Sequence, residues 1–261
     1  RVLDREPLPE PLPRRLPGGP ACEVVIGDIR DPAAVSRACE GVDTVFQTAA
    51  AVWNVRTPRQ VYEEVNVGGN RLVIEECRRR RIPRLVFTSS MDVVVDGRRP
   101  IVEGDESLPY PARMPRDAYS RSKIVSERMV LAANGPSLAT CVLRPVGMYG
   151  PRDRYHLGNI VAMAKRGVSL RLGDGSARFS HAYSENVAHA HVLAAKVLHP
   201  GSTPAGGCYF IGDHKPDDNL FDFVEPYLRA LGLPVPVRSI PYRIALALAA
   251  VAEIVAPFSN F

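Results

Sequence analysis

Short apolar runs alternate with segments of helical period over the first 150 residues. VLD (2–4) and CEVVIGD (22–28) read as strands separated by a proline-rich stretch. DPAAVSRACEG (31–41) reads as a helix with Asp31 as N-cap, Pro32 at the first helical position and Gly41 as the stop. TVFQTAA (44–50), RLVFTSS (84–90) and ATCVLRP (139–145) are further buried strands, and the segment 59–81 is a long amphipathic helix. A proline-bearing loop over 91–116 leads into the helix that carries DAYSRSK (117–123). Strands that are apolar throughout and separated by helices specify an α/β fold, a doubly wound parallel sheet covered on both faces. Ligands of such sheets sit at the carboxyl ends of the strands. Asp28, Ala49, Ser90 and Pro145 all fall at or just past those ends.

Beyond residue 150 the rhythm changes. Helices are expected near 157–166, 185–198, 218–231 and 241–255, with a short strand in GGCYFIG. The chain therefore divides into a sheet domain over 1–150 and a smaller mixed α/β lobe over 151–261, partly interleaved with the first. The run IALALAAVAEIVA (244–256) is too short to span a bilayer and carries Glu253, so it reads as a core or docking helix, with a membrane-surface contact left open.

Composition narrows the function classes. The net charge of +5 comes from arginine, since there are only four lysines. The densest basic run, Arg78 to Arg81, closes a helix, where it complements the dipole and faces water. No aromatic interleaving accompanies it, so no nucleic-acid partner is expected. Five scattered cysteines without CxxC spacing argue for reduced thiols in the cytoplasm and against a zinc site. His189 and His191 lie two apart on a helix, about 200° around it, and cannot hold one metal together. No metal is expected.

The candidate chemistry centres on Tyr119 and Lys123. Residues i and i+4 share a helix face, so phenol and ammonium project the same way. At a few ångströms, such a charge would favour the phenolate by about 3–4 kcal/mol, roughly two pKa units, enough to make tyrosine useful in proton transfer. With nine tyrosines in the chain about 0.14 such pairs arise by chance, so the spacing alone leaves a stem-against-ring surface pair equally open. The surroundings decide. VFTSS puts Ser90 at a strand end, where its hydroxyl can meet a substrate oxygen. EEVNVGGN places Asn66 inside a helix turn of small and apolar residues, and it joins the catalytic candidates. Asp28 can accept from an adenine amino group, and Asp4 from both ribose hydroxyls of NAD, whereas the neighbouring Arg5 can hold the 2′-phosphate of NADP.

The sequence resembles the extended short-chain dehydrogenase/reductase family, through VLDR, GDIRD, VFQTAA, VNVGGN, VFTSS, YSRSK, LRPVGMYGP and YSENVAHAHVLAA in that order over nearly the whole chain. The resemblance implies a Rossmann-like sheet and a nicotinamide cofactor, NAD with NADP as the alternative. It implies Tyr119 as general acid/base, Lys123 as its support and holder of the nicotinamide ribose, and Ser90 as orienter of the substrate carbonyl, with Ser89 in reserve. Asp4, Arg5, Asp28, Ile29, Ala49, Ala50, Pro145 and Val146 would line the cofactor. Ser90, Met91, Met148 and Tyr149 would face a small-molecule substrate. FTSSMDVVVDG, the segments 180–195 and 208–234, and IPYRIALALAAVAEI are most similar to the 3β-hydroxysteroid dehydrogenase and sterol-4α-carboxylate 3-dehydrogenase branch. The expected reaction is oxidation or reduction at the 3β position of a steroid or sterol-like alcohol or ketone. A nucleotide-sugar epimerase or dehydratase is the alternative enzyme, and GDGSARFSHAY lacks the arginine–aspartate run usual there. A non-catalytic cofactor-sensing or interaction protein is the alternative outside enzymes. A homodimer is left open.

This sequence contains no glycine-rich GxxGxxG turn, the element that cradles a cofactor pyrophosphate at a helix N-terminus. The chain thus reads as a piece of a larger protein, its first strand and glycine loop missing. Calorimetric titration of these 261 residues with NAD is expected to show weak binding or none, and a micromolar or tighter site would contradict that expectation.

Overall fold

The computed structural model describes residues 1–7, 22–54, 56–213, 218–245 and 247. The proline-rich stretch and most of the segment expected as a helix over 241–255 lie outside them. Two compact units are present: the first comprises Arg1–Val52, Thr57–Arg144 and Ala190–Phe210, the second Trp53–Arg56, Pro145–His189 and Ile211–Phe261.

In the first unit β1 (Val2–Asp4) pairs in parallel with β2 (Val24–Ile26). α1 (Pro32–Ala38) follows, started by Asp31, whose side chain accepts from the Ala33 amide. β3 (Thr44–Gln47), β4 (Arg84–Thr88) and β5 (Ala139–Pro145) form parallel ladders, and β10 (Cys208–Ile211) completes the order β10-β5-β4-β3. Among the described residues one edge each of β1 and β3 carries no partner strand, so the sheet is in two pieces. One core holds both pieces together: Leu3 and Val45 pack with Ile29, Val35, Val73, Leu85, Phe87 and Val142. Gly27 and Gly69 permit close approaches in this core, since a Cβ would meet Ala34 at 2.6 Å from the first and Ile29 at 2.8 Å from the second.

The helix expected over 59–81 is present but not uniform. α2 (Arg59–Tyr62) runs into a π-helical segment, Glu63–Gly69, and then α3 (Asn70–Arg80). A widened turn frees backbone groups that need other partners. The Ser126 hydroxyl supplies one by donating to the Asn66 carbonyl at 2.8 Å. Arg81 ends the helix in the left-handed region at φ 57.

α4 (Ala118–Ala133) starts at Asp117, which accepts from the Ser120 amide at 2.7 Å. Its inward face is polar: Ser122, Lys123, Ser126 and Glu127 are all buried. Glu127, with no exposed surface, accepts from Arg144 Nη2 at 2.5 Å and from the Tyr110 hydroxyl at 2.8 Å, and it also accepts from Ser89. The Arg144 guanidinium lies 5.3 Å from the Phe210 ring.

In the second unit β6 (Gly147–Tyr149) pairs in parallel with β9 (His181–Tyr183). α5 (Leu157–Lys165) follows β6. β7 (Leu170–Leu172) pairs in parallel with β12 (Arg238–Ile240), and β8 (Arg178–Phe179) runs antiparallel to β11 (Asp218–Asn219). α6 (Ser184–Val197) leaves this unit for the first, and α7 (Leu220–Ala230) packs Val224 and Leu228 against Ala164 of α5. Among the described residues no helix is long and apolar enough to cross a membrane.

A buried ion pair broken on one side leaves an uncompensated charge, at a cost of about 3–5 kcal/mol, whereas replacing both partners by apolar residues costs far less. Urea unfolding should therefore show Arg144→Met strongly destabilised, and Glu127→Met with Arg144→Met closer to the parent than Arg144→Met alone.

Candidate active site

Tyr119, Lys123, Ser90 and Asn66 all belong to the first unit, and the hydrogen bonds between their elements bring them together. Tyr119 and Lys123 lie one turn apart on α4. Lys123 is 4% exposed. Its Nζ donates to the Thr88 carbonyl at the end of β4 at 2.9 Å and sits 5.2 Å from the Phe87 ring centre. Ser89 and Ser90 diverge just past that strand end. The Ser89 hydroxyl turns inward to Glu127. Ser90 caps the short 3₁₀ turn Met91–Val94 and lies near the Tyr119 phenol. Of the two serines, Ser90 is therefore the one at the tyrosine.

Asn66 is a clamp. Its Oδ1 accepts from the Ala51 amide at 2.7 Å, and its Nδ2 donates to the Ala51 carbonyl at 3.1 Å and to Ser122 Oγ at 2.8 Å. Ser122 Oγ in turn donates to the Tyr119 carbonyl at 2.7 Å. The π-helical segment, the loop after β3 and the first turn of α4 are thus tied through one amide. Tyr62 adds an edge-on ring contact to Tyr119 at 6.2 Å.

The expectation that Lys123 lowers the Tyr119 pKa is not met. Burial and the neighbouring Asp92 carboxylate push the phenol up to about 12, against hydrogen bonding from Ser90. Lys123 is itself pushed down to about 8 by burial, with Glu127 and Asp92 opposing the shift. The spacing argument weighed the Coulomb attraction of the pair alone. Here desolvation dominates for both groups.

The cofactor candidates sit unevenly. Asp4 is exposed at the end of β1, and its Oδ1 accepts from the Glu6 amide at 3.0 Å. Asp28 is engaged by Arg30, which donates through Nε at 3.0 Å and Nη2 at 2.9 Å. Arg5 Nε stands 3.7 Å from the same carboxylate, so Arg5 and Asp28 pair with each other. Arg30 and the Arg30 amide hold the Asp28 carboxyl below its ordinary range. Ile29 turns into the core beneath Gly69. Ala49 is exposed and Ala50 half-buried, and the Gln47 side chain fixes this segment by accepting from the Ala49 amide at 3.0 Å. Met91 opens the 3₁₀ turn and is half-buried.

Pro145, Val146, Met148 and Tyr149 belong to the second unit and are described within it. Pro145 is buried at the end of β5, and the Val146 amide donates to the Ile211 carbonyl at 3.1 Å. Met148 is exposed on β6. The Tyr149 hydroxyl donates to Asp213 at 2.9 Å, and its ring lies edge-on to Phe223 at 4.9 Å. No group of histidine, cysteine or acidic residues able to hold a metal occurs among the described residues.

Sequence reasoning passed over Asp92, Ser122 and Glu127. Glu127 repeats the Tyr119–Lys123 spacing one turn further on, and Asp92 stands two residues after Ser90 before an apolar run. Both signals were present.

The 3-beta hydroxysteroid dehydrogenase/isomerase family, as a profile, matches residues 1–242. Short-chain dehydrogenase/reductase family 42E member 1 of Bos taurus is 39% identical over 232 residues, 83% of this chain and 58% of that protein. The 3 beta-hydroxysteroid dehydrogenase/Delta 5→4-isomerase of Mycobacterium tuberculosis is 38% identical over 229 residues, 84% of this chain and 61% of that protein. The chain spans less than two thirds of the length of these relatives. Among solved structures, the UDP-glucose 4-epimerase of Thermus thermophilus in complex with NAD is similar, with a TM-score of 0.65, 25% identity and coverage of 92% of this chain and 77% of that one. The parallel α/β sheet is of that Rossmann-like kind. This chain belongs to the 3-beta hydroxysteroid dehydrogenase/isomerase family.

Proposed function

We propose that the protein is a nicotinamide-dependent oxidoreductase that interconverts a secondary alcohol and a ketone, at the 3β position of a steroid or sterol-like substrate. The observation that carries this reading is the gathering of half-buried Tyr119 with buried Ser90 and Lys123 around one strand end, clamped by Asn66. Tyr119 exchanges a proton with the substrate oxygen, and Ser90 hydrogen-bonds the same oxygen. Lys123 keeps a positive charge at neutral pH, since it titrates only at about 8, and it holds the ribose next to the nicotinamide. NAD is the reading favoured over NADP, because Asp4 is an exposed carboxylate at a strand end while Arg5 is drawn to Asp28. Asp4, the Ala49–Ala50 segment and Lys123 suit the ribose and nicotinamide parts of the cofactor. The pyrophosphate has no glycine-rich cradle in these residues. The bound cofactor would supply hydride transfer.

A phenol held protonated up to about 12 is a competent proton donor to a ketone at neutral pH. In the full-length protein, Tyr119→Phe should lower turnover of a 3β-hydroxysteroid with NAD by about 10²–10⁴-fold, followed by NADH absorbance, with the fold retained by circular dichroism. Unchanged turnover would remove Tyr119 from the chemistry.

A further inference from the structure

Lys123 reaches across to the carbonyl of a residue whose side chain is held from the opposite face of the sheet. The β3 ladder ends at the pair Gln47–Phe87, whereas the β5 ladder continues to the pair Leu143–Thr88. In the trans peptide unit after Thr88 the carbonyl and the amide point opposite ways. The Ser89 amide donates to the Leu143 carbonyl on β5 at 2.7 Å, so the Thr88 carbonyl faces the side where β3 has stopped. The Lys123 ammonium donates to it there at 2.9 Å, in place of a strand partner.

Side chains alternate between the faces of a sheet. Phe87 turns to the face covered by α4, in one core with Val130 and 5.2 Å from the Lys123 ammonium. Thr88 turns to the other face, toward the part of α6 that belongs to the first unit. There the Thr88 hydroxyl and His191 Nε2 are hydrogen-bonded at 2.7 Å. His191 is 6% exposed, while its neighbours Val192 and Leu193 lie open to water. At the start of β4, Arg84 Nη1 donates to the Ala195 carbonyl at 3.4 Å, so α6 is joined to both ends of the strand. Phe46 of β3 adds an edge-on ring contact to His191 at 6.1 Å. Burying an imidazole carries a desolvation cost that an apolar side chain would not. Its hydrogen bond goes to the residue whose carbonyl receives the lysine.

We propose that His191 is a positioning residue of the active site: through the Thr88 hydroxyl it fixes the strand-end peptide whose carbonyl places the Lys123 ammonium. It acts on the reaction only through Thr88. The inference rests on the oxidoreductase reading above, in which Lys123 holds the ribose next to the nicotinamide. With Lys123 on its carbonyl and His191 on its side chain, Thr88 cannot turn without breaking one bond or the other. Once the His191 bond is lost the peptide is free to tilt, and the ammonium loses an acceptor that favours its charged form.

Leucine at 191 or valine at 88 deletes this bond from either end with little change of volume, and glutamine at 191 brings an amide to the Nε2 position. In the cofactor-free full-length protein with ¹⁵N-labelled lysine, the Lys123 Nζ resonance is the one lost in Lys123→Arg. His191→Leu and Thr88→Val should each raise the Lys123 acid constant by at least about threefold, and His191→Gln should return it to the parent value. The double variant His191→Leu with Thr88→Val should shift it no further than either alone, because both delete the same bond. With a 3β-hydroxysteroid as substrate, each single variant should raise KM for NAD by about tenfold and leave KM for the steroid within about threefold. An unmoved Lys123 titration in folded Thr88→Val overturns the proposal, as does an unchanged KM for NAD or an additive double variant. If His191→Leu does not fold, Thr88→Val carries the test alone. Absence of steroid turnover by the parent protein overturns the substrate reading instead, and the Lys123 titration still decides the role of His191.

Discussion

The structure turns on a polar helix face placed inside the protein. Tyr119, Lys123 and Glu127 follow one another at four-residue steps along α4, and the last two are almost wholly removed from water. Burying an ammonium and a carboxylate is costly unless each finds partners. Glu127 finds Arg144, Ser89 and Tyr110, and Lys123 finds the Thr88 carbonyl. Those partners come from β4, β5 and the loop between β4 and α4. Satisfying the two charges therefore fixes where the strand end stands relative to the helix, and with it where Ser90 meets Tyr119.

The same burial sets the protons. Lys123 sheds its charge near pH 8 and Tyr119 keeps its proton to about 12, so desolvation moves both groups toward their neutral forms. For Lys123 the unfolded chain holds a proton that the folded chain has released between about 8 and the ordinary lysine value. This group's contribution to stability accordingly rises with pH across that window. Ser122 and Ser126 of the same buried face tie the helix to Asn66 in the π-helical segment. Protonation and position are thus consequences of one packing arrangement.

Much of this was legible in the sequence. Strand and helix limits followed from apolar runs, from Asp31 and Pro32, and from the strand-end placement of Ser90. Asn66 was visible as an amide in a helix turn of small residues. The π-helical widening was not, because the 3.6-residue period continues through Glu63–Gly69 and only the non-local partners Ala51 and Ser126 reveal it. The sign of the Tyr119 shift was also hidden. Spacing places two groups on one face but says nothing of their solvation, and solvation decided the outcome. Ile29 and Asp28 illustrate the same limit, the first turned into the core and the second taken up by Arg30.

The central claim is that Lys123, one helix turn from Tyr119, is buried and desolvated. With only four lysines in the chain, ¹⁵N-labelled lysine and the variant Lys123→Arg identify its Nζ resonance directly. The account predicts that Lys123 titrates at about 8, well below the other lysines. Titration together with them, at the ordinary value of about 10.4, would contradict it.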